Sequence, residues 1–189
     1  MKTEKKTNVK ANVMTAFFAA IIYLGIQSFR IPMPAAVGTP FVHFGHIFVV
    51  LAILLLGTVR SMVAGVLGLL IFDVLNGYLH AIPNVFVSTV ILCLLTGTVA
   101  WALRKKAAGD RKKDYRAAIV CAVVYGVVNV VIDFVWSTAE LVIAGSGLGA
   151  ALAAEITAIP ATIINAVFTV IGIAILYIPV RQAYKAIMR

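Results

Sequence analysis

The sequence predicts an all-α integral membrane protein of six transmembrane helices with both termini in the cytoplasm. Three observations carry that prediction. Of 189 residues, 62% are hydrophobic and only 12% charged, too few charges for a soluble domain. The apolar residues gather into six runs separated by Pro, Gly or charged stretches. Of the 16 Lys and Arg residues, all but Arg30 fall on one side of a six-span path, which assigns that side to the cytoplasm.

The six spans are expected to form one transmembrane domain over residues 1–189. The N-terminal MKTEKKTNVK resembles the basic start of a signal peptide. The apolar run from Val13 to Phe29 is longer than such a peptide's core, and no small-x-small cleavage site follows it cleanly, so it reads as a retained first span at about 11–29. Pro32 and Pro34 in RIPMP end it. A stiff loop, Arg30 to Val42, leads into a short second helix at about 43–57, and Gly57-Thr58 breaks to a third at about 59–77. Gly77 and Pro83 bracket the next loop, before a fourth helix at about 84–103. RKKAAGDRKKDYR is read as a charged, solvated connection to a fifth helix at about 115–143. Gly145 to Gly149 lead to the sixth at about 151–180, where Pro160 predicts a kink or a later start.

The cytoplasmic cations are Lys2, Lys5, Lys6, Lys10, Arg60, the seven from Arg104 to Arg116, Arg181, Lys185 and Arg189. Topology therefore explains the net charge of +9, and a nucleic-acid partner is not invoked. Cys93 and Cys121 sit within apolar runs without metal-ligand spacing and read as small core residues.

The acids form a second pattern. Glu4, Asp110 and Asp114 are assigned to cytoplasmic segments, whereas Asp73, Asp133, Glu140 and Glu155 lie toward outer helix ends. His43, His46, Asn76, Tyr78, His80, Asn84, Arg30 and Trp136 share that level, while the inner half is nearly free of polar residues. Polar groups confined to the outer half predict a pocket open to the outside rather than a continuous pore. In NVVIDFVWSTAEL, Asn129, Asp133, Trp136 and Glu140 follow at spacings of four, three and four, which stack on one helical face. A carboxylate in hydrocarbon costs about 3 kcal/mol, so a ligand-facing stripe is a stronger reading than packing or interfacial anchoring alone. His43 and His46 are three apart and suit a substrate hydrogen bond or a helix entry; the absence of a tight ligand motif argues against metal. Asp73 sits near a helix C-terminus, where the dipole disfavours an anion, and it therefore suggests binding; Asn76 beside Gly77 also fits a helix stop. Asn84 and Glu155 complete the substrate-binding candidates, with Asn165 a weaker companion on span six. Ala16 and Ala20 in AFFAA, like Ala64 and Gly68, have the small-xxx-small spacing that lets helices approach closely in lipid.

Length, six spans with both termini inside, AFFAA in the first span and FVHFGHIFVVLAILLLGTVRSMVAGVLGLLIFDVLNGY together resemble the substrate-binding S components of energy-coupling factor (ECF) transporters. The second helix opening with His-x-Gly and the third ending with Asp resemble the branch assigned to hydroxymethylpyrimidine and pyridoxine. The resemblance implies the S-component fold in a bacterial cell membrane. It also implies capture of a vitamin or precursor from outside, in a pocket closed by the loops after spans one, three and five, and delivery by toppling in the bilayer. It further implies docking through Ala16 and Ala20 on an EcfT-type transmembrane coupling subunit served by two cytoplasmic ATPases. No catalysis, cofactor or metal is expected of the chain itself, which lacks GxxxxGK[ST]. In such a pocket Trp136 and Tyr78 would stack on a ring; Asp133, Asp73 and Asn129 would hold ring or exocyclic donors; His43 or His46 would hold a hydroxyl. Two rivals remain at this point. An intramembrane enzyme lacks GxGD, HExxH or a Ser/His pair here, and a proton-coupled secondary transporter lacks a visible repeat between residues 1–95 and 96–189.

Overall fold

The computed structural model describes residues 2–107 and 109–188, with the side chains of residues 2–7 not described. The side chains of Lys2, Glu4, Lys5 and Lys6, and the whole of Arg189, thus lie outside the described residues. Among the described residues six α-helices carry the chain: α1 (Lys2–Gln27), α2 (Gly45–Leu56), α3 (Thr58–Asn76), α4 (Ile82–Ala107), α5 (Arg111–Ile143) and α6 (Leu148–Met188). A two-stranded hairpin, β1 (Ile31–Pro32) with β2 (Phe41–Val42), joins α1 to α2, and a single 3-10 turn (Leu79–Ala81) precedes α4. Five helices are long and apolar enough to cross a membrane, and α2 is a shorter apolar helix.

Each expected span has a helix as its counterpart, with shifted ends that have local causes, but α2, at 12 residues, is shorter than the other five. Pro83 falls within the first turn of α4, where its missing N–H is no loss. α6 continues through both Pro160 and Pro179, so the expected later start at Pro160 is not observed. Between α2 and α3 the chain turns at Gly57 with φ 83°, a left-handed value open to glycine, and Gly77 ends α3 at φ 81°.

α2 is the innermost element. Val49, Val50, Leu51, Ala52 and Leu54 have no exposed surface, which suits a helix that is hydrophobic all round. α1 closes on α3 at Gly68, where an added Cβ would stand 2.7 Å from the Ala19 carbonyl oxygen and 2.8 Å from Ile22 Cβ. Ala64 and Gly68 therefore serve packing within the bundle, whereas Ala16 and Ala20 remain exposed on the opposite face of α1.

Two features differ from the sequence-based expectation. Asp114 is 4% exposed rather than solvated. It accepts a hydrogen bond from the Tyr177 hydroxyl (2.7 Å) and pairs with Arg104 Nε (3.3 Å) and Arg181 Nη1 (3.2 Å). Arg104 also donates to the Leu54 carbonyl near the end of α2. The inner half thus holds a buried ionic network tying α4, α5 and α6 to α2, because a carboxylate removed from water needs charged partners. Asp110 stays exposed but caps α5: its Oδ1 accepts from the Lys112 and Lys113 N–H groups, which hold its carboxyl below the usual carboxylate range.

Candidate functional site

Along α5, Asp133 lies 19 residues beyond Asp114, a rise of about 28 Å. That is close to the thickness of the hydrocarbon core, so Asp133 stands at the outer boundary when Asp114 stands at the inner one. At this outer level the helices part around a cavity of about 230 Å³.

Its walls come from all six helices and the second strand of the hairpin. α3 contributes Leu69, Phe72 and Asp73; α4 contributes Asn84, Ser88, Thr89 and Leu92; α5 contributes Tyr125, Asn129 and Asp133; α6 contributes Ala161, Thr162 and Asn165. Ile26, Pro40, Phe41, His43 and His46, from the end of α1 through the hairpin to α2, complete it. Seven of the sequence-predicted residues therefore meet here: His43, His46, Asp73, Asn84, Asn129, Asp133 and the weaker candidate Asn165. Among the described residues lining the cavity none is Lys or Arg.

The polar groups are held in specific ways. Asn129, 4% exposed, donates from Nδ2 to Asp133 Oδ2 at 3.0 Å, one turn along the same helix. That contact fixes one carboxylate oxygen of Asp133 and points the pair inward. Asp73 is 6% exposed, and its Oδ2 is buried with no hydrogen-bond partner among the described residues. A carboxylate oxygen left so is costly unless something else donates to it. The Gly45 N–H donates to His43 Nδ1 at 3.1 Å, so that nitrogen is an acceptor and the ring proton resides on Nε2. His46 packs edge-on against His43 and against Tyr125, with centroids 4.6 and 5.4 Å apart. Asn84 Oδ1 accepts from the Ser88 hydroxyl at 2.7 Å.

The hairpin covers the cavity and α6 holds it down. Asn165 Oδ1 accepts the His43 N–H at 2.8 Å, and Asn165 Nδ2 donates to the Phe41 carbonyl at 3.0 Å. One side chain thereby pairs with the open edge of β2 as a neighbouring strand would. Two turns earlier, Thr157 Oγ1 accepts the Ala36 N–H at 2.8 Å, near the tip of the hairpin. Beside this lid, Phe72 stacks on Tyr78 (5.8 Å, 15°), Phe41 lies tilted against both, and the Arg30 guanidinium sits 5.2 Å from the centre of the Phe72 ring.

The remaining candidates lie outside the cavity. Tyr78 backs Phe72 rather than lining the space. Asn76 Nδ2 donates to the Phe72 carbonyl within α3. Trp136 Nε1 donates to Glu140 Oε1 at 2.6 Å, an exposed pair; Glu140 stands about 10 Å farther along α5 than Asp133. Glu155 lines an adjoining cavity of about 230 Å³, which shares Pro40, Asn84, Asp133 and Thr162 with the first. Phe41, Phe72, Tyr125, Ser88, Thr89 and Thr162 were not singled out from the sequence; Ser88-Thr89 within an apolar helix was the available signal.

A family model described as "ECF-type riboflavin transporter, S component" matches residues 6–185. Among solved structures, ThiT from Listeria monocytogenes is similar in fold, with a TM-score of 0.66 at 19% identity over 96% of this chain and 98% of that one. Among curated proteins none matches.

Proposed function

Because the chain belongs to the family of ECF-type riboflavin transporter S components, we propose that its outer cavity captures one molecule of a small water-soluble vitamin or vitamin precursor. S components are multi-pass membrane subunits that bind substrate and are not enzymes; they work with an ECF module of coupling subunit and ATPases.

The observation that carries the proposal is the meeting of Asp73, His43, Asn129 and Asp133, from two different helices and the end of the hairpin, around one outer cavity. Lipid tolerates these groups if a ligand completes their hydrogen bonds. A volume of about 230 Å³ is small for a ligand pocket, which usually runs from about 300 Å³ upward. That favours a single-ring ligand, and hydroxymethylpyrimidine or pyridoxine is our reading of its identity. Phe41 and Phe72 offer apolar ring faces, Asp73 and Asp133 accept from ring or exocyclic donors, and His43 Nε2 donates to a hydroxyl.

A second reading is favoured by the adjoining cavity: a tricyclic vitamin such as riboflavin would occupy both spaces, with Asp133 and Asn84 at their junction. Delivery follows from the exposed Ala16 and Ala20 face of α1, on which an EcfT-type subunit with two ATPases would dock while the bundle topples.

Reconstitution tests this. Vesicles containing the chain, the coupling subunit and the ATPases should accumulate the vitamin only with ATP. Uptake by this chain alone, driven by a proton gradient, would identify a secondary transporter instead.

A further inference from the structure

Resting on the vitamin-capture reading, we propose that the cavity selects by charge: it accepts a neutral or cationic ring with hydrogen-bond donors at two opposite edges, and rejects anionic derivatives such as the phosphate ester, with Asp73 as the specificity-determining residue.

Asp73 and Asp133 stand on α3 and α5, helices that do not pack against each other among the described residues. Both face the same cavity, so the two carboxylates approach a ligand from separate walls. Each is an acceptor. Among the described residues Asp73 Oδ2 has no hydrogen-bond partner, and Asp133 has only Oδ2 engaged, by Asn129. A ligand satisfying both must bring an N–H or O–H to each side.

Nothing among the described lining residues compensates an added negative charge. Arg30 does not line the cavity; its guanidinium sits 5.2 Å from the centre of the Phe72 ring. His43 keeps an acceptor nitrogen toward the Gly45 N–H and is neutral in that arrangement. A phosphate or carboxylate placed here meets two carboxylates without a countercharge among the described lining residues, a juxtaposition that opposes binding. Loss of a matched donor is penalised for the same reason, because the buried oxygen is left bare.

The test compares matched pairs by isothermal titration of the purified full chain: pyridoxine with pyridoxine 5′-phosphate, hydroxymethylpyrimidine with its phosphate, and riboflavin with its 5′-phosphate. The tightest free form should bind at least about 100-fold more tightly than its ester. In Asp73→Asn the free form should weaken by about tenfold or more while the gap to the ester narrows. Removal of an unpaired buried carboxylate leaves the fold intact, so an unchanged melting temperature accompanies the result. An ester within threefold of its free form, or a gap unaltered in Asp73→Asn, overturns charge selection and leaves vitamin capture standing. Failure of every compound to bind overturns vitamin capture itself, and this inference with it.

Discussion

Asn165 holds His43 as a neighbouring strand would: its Oδ1 accepts the His43 N–H at 2.8 Å while its Nδ2 binds the Phe41 carbonyl at 3.0 Å. One buried amide on α6 thereby sets the position of the lid and of the histidine beneath it. The residues joined are more than 120 apart in sequence, so this contact exists only when α6 has closed against the hairpin.

Asn165→Ala is therefore expected to loosen the lid. Two hydrogen bonds are lost and a buried backbone N–H is stranded, at a cost of about 1–3 kcal/mol. Thermal unfolding without ligand should show a lower melting temperature, and vitamin dissociation should accelerate. An unaltered dissociation rate would show that the hairpin stays closed without this clamp.

Trp136→Phe should leave vitamin affinity unchanged within about twofold, since the indole pairs with Glu140 farther along α5 and does not line the cavity. Asn129→Leu, one face-turn below, should weaken binding by about tenfold, because Asp133 loses the donor that fixes it. Equilibrium titration of both variants separates the two halves of the stripe; the reverse order of effects would place the ligand higher along α5.

At the cytoplasmic end, Asp114→Ala leaves Arg104 and Arg181 without their shared carboxylate. Breaking a buried pair from one side destabilises by about 3–5 kcal/mol, and equilibrium unfolding in mixed detergent measures it. The stripped network lies about 28 Å from Asp133, so a destabilised but folded variant should retain its affinity. Marginal loss of stability would mean that Arg104 finds sufficient compensation in the Leu54 carbonyl alone.

Gly68→Leu and Ala16→Leu contrast two instances of one sequence pattern. Gly68 faces Ala19 and Ile22 at contact distance, so the larger side chain forces α1 from α3 and should destabilise the protein by about 1–3 kcal/mol. Ala16 is exposed, so its variant should fold and bind vitamin normally yet fail in ATP-driven uptake by the reconstituted complex. Normal uptake by Ala16→Leu would remove α1 from the docking surface.

Much of this architecture is legible in the residues alone, and the exceptions share a cause. Six apolar runs and one-sided Lys and Arg mark the helices because the bilayer imposes length and orientation directly. Asp73, Asn129 and Asp133 are conspicuous because polarity inside hydrocarbon needs a reason. Trp136 and Glu140 have the same helical phase as Asp133, but α5 runs 33 residues, about 50 Å, and carries them beyond the cavity. Helical phase reports direction and not height. Asp114 is hidden within a charged run, where nothing local distinguishes a solvated acid from one enclosed by Arg104, Arg181 and Tyr177. Asn165 acts on backbone atoms of a distant hairpin, and backbone partners leave no trace in side-chain patterns. Ala16/Ala20 and Ala64/Gly68 are alike as text, and packing alone sorts them.

The most direct measurement is a calorimetric titration of the purified chain with the best-bound vitamin, comparing wild type with Asp133→Asn and the Asp73→Asn/Asp133→Asn double variant. If acids from two separate helices grip one ligand, wild type binds a single equivalent, the single change weakens it by about tenfold and the double change by about a hundredfold or more. Unchanged affinity in the double variant would contradict a shared site for the two carboxylates.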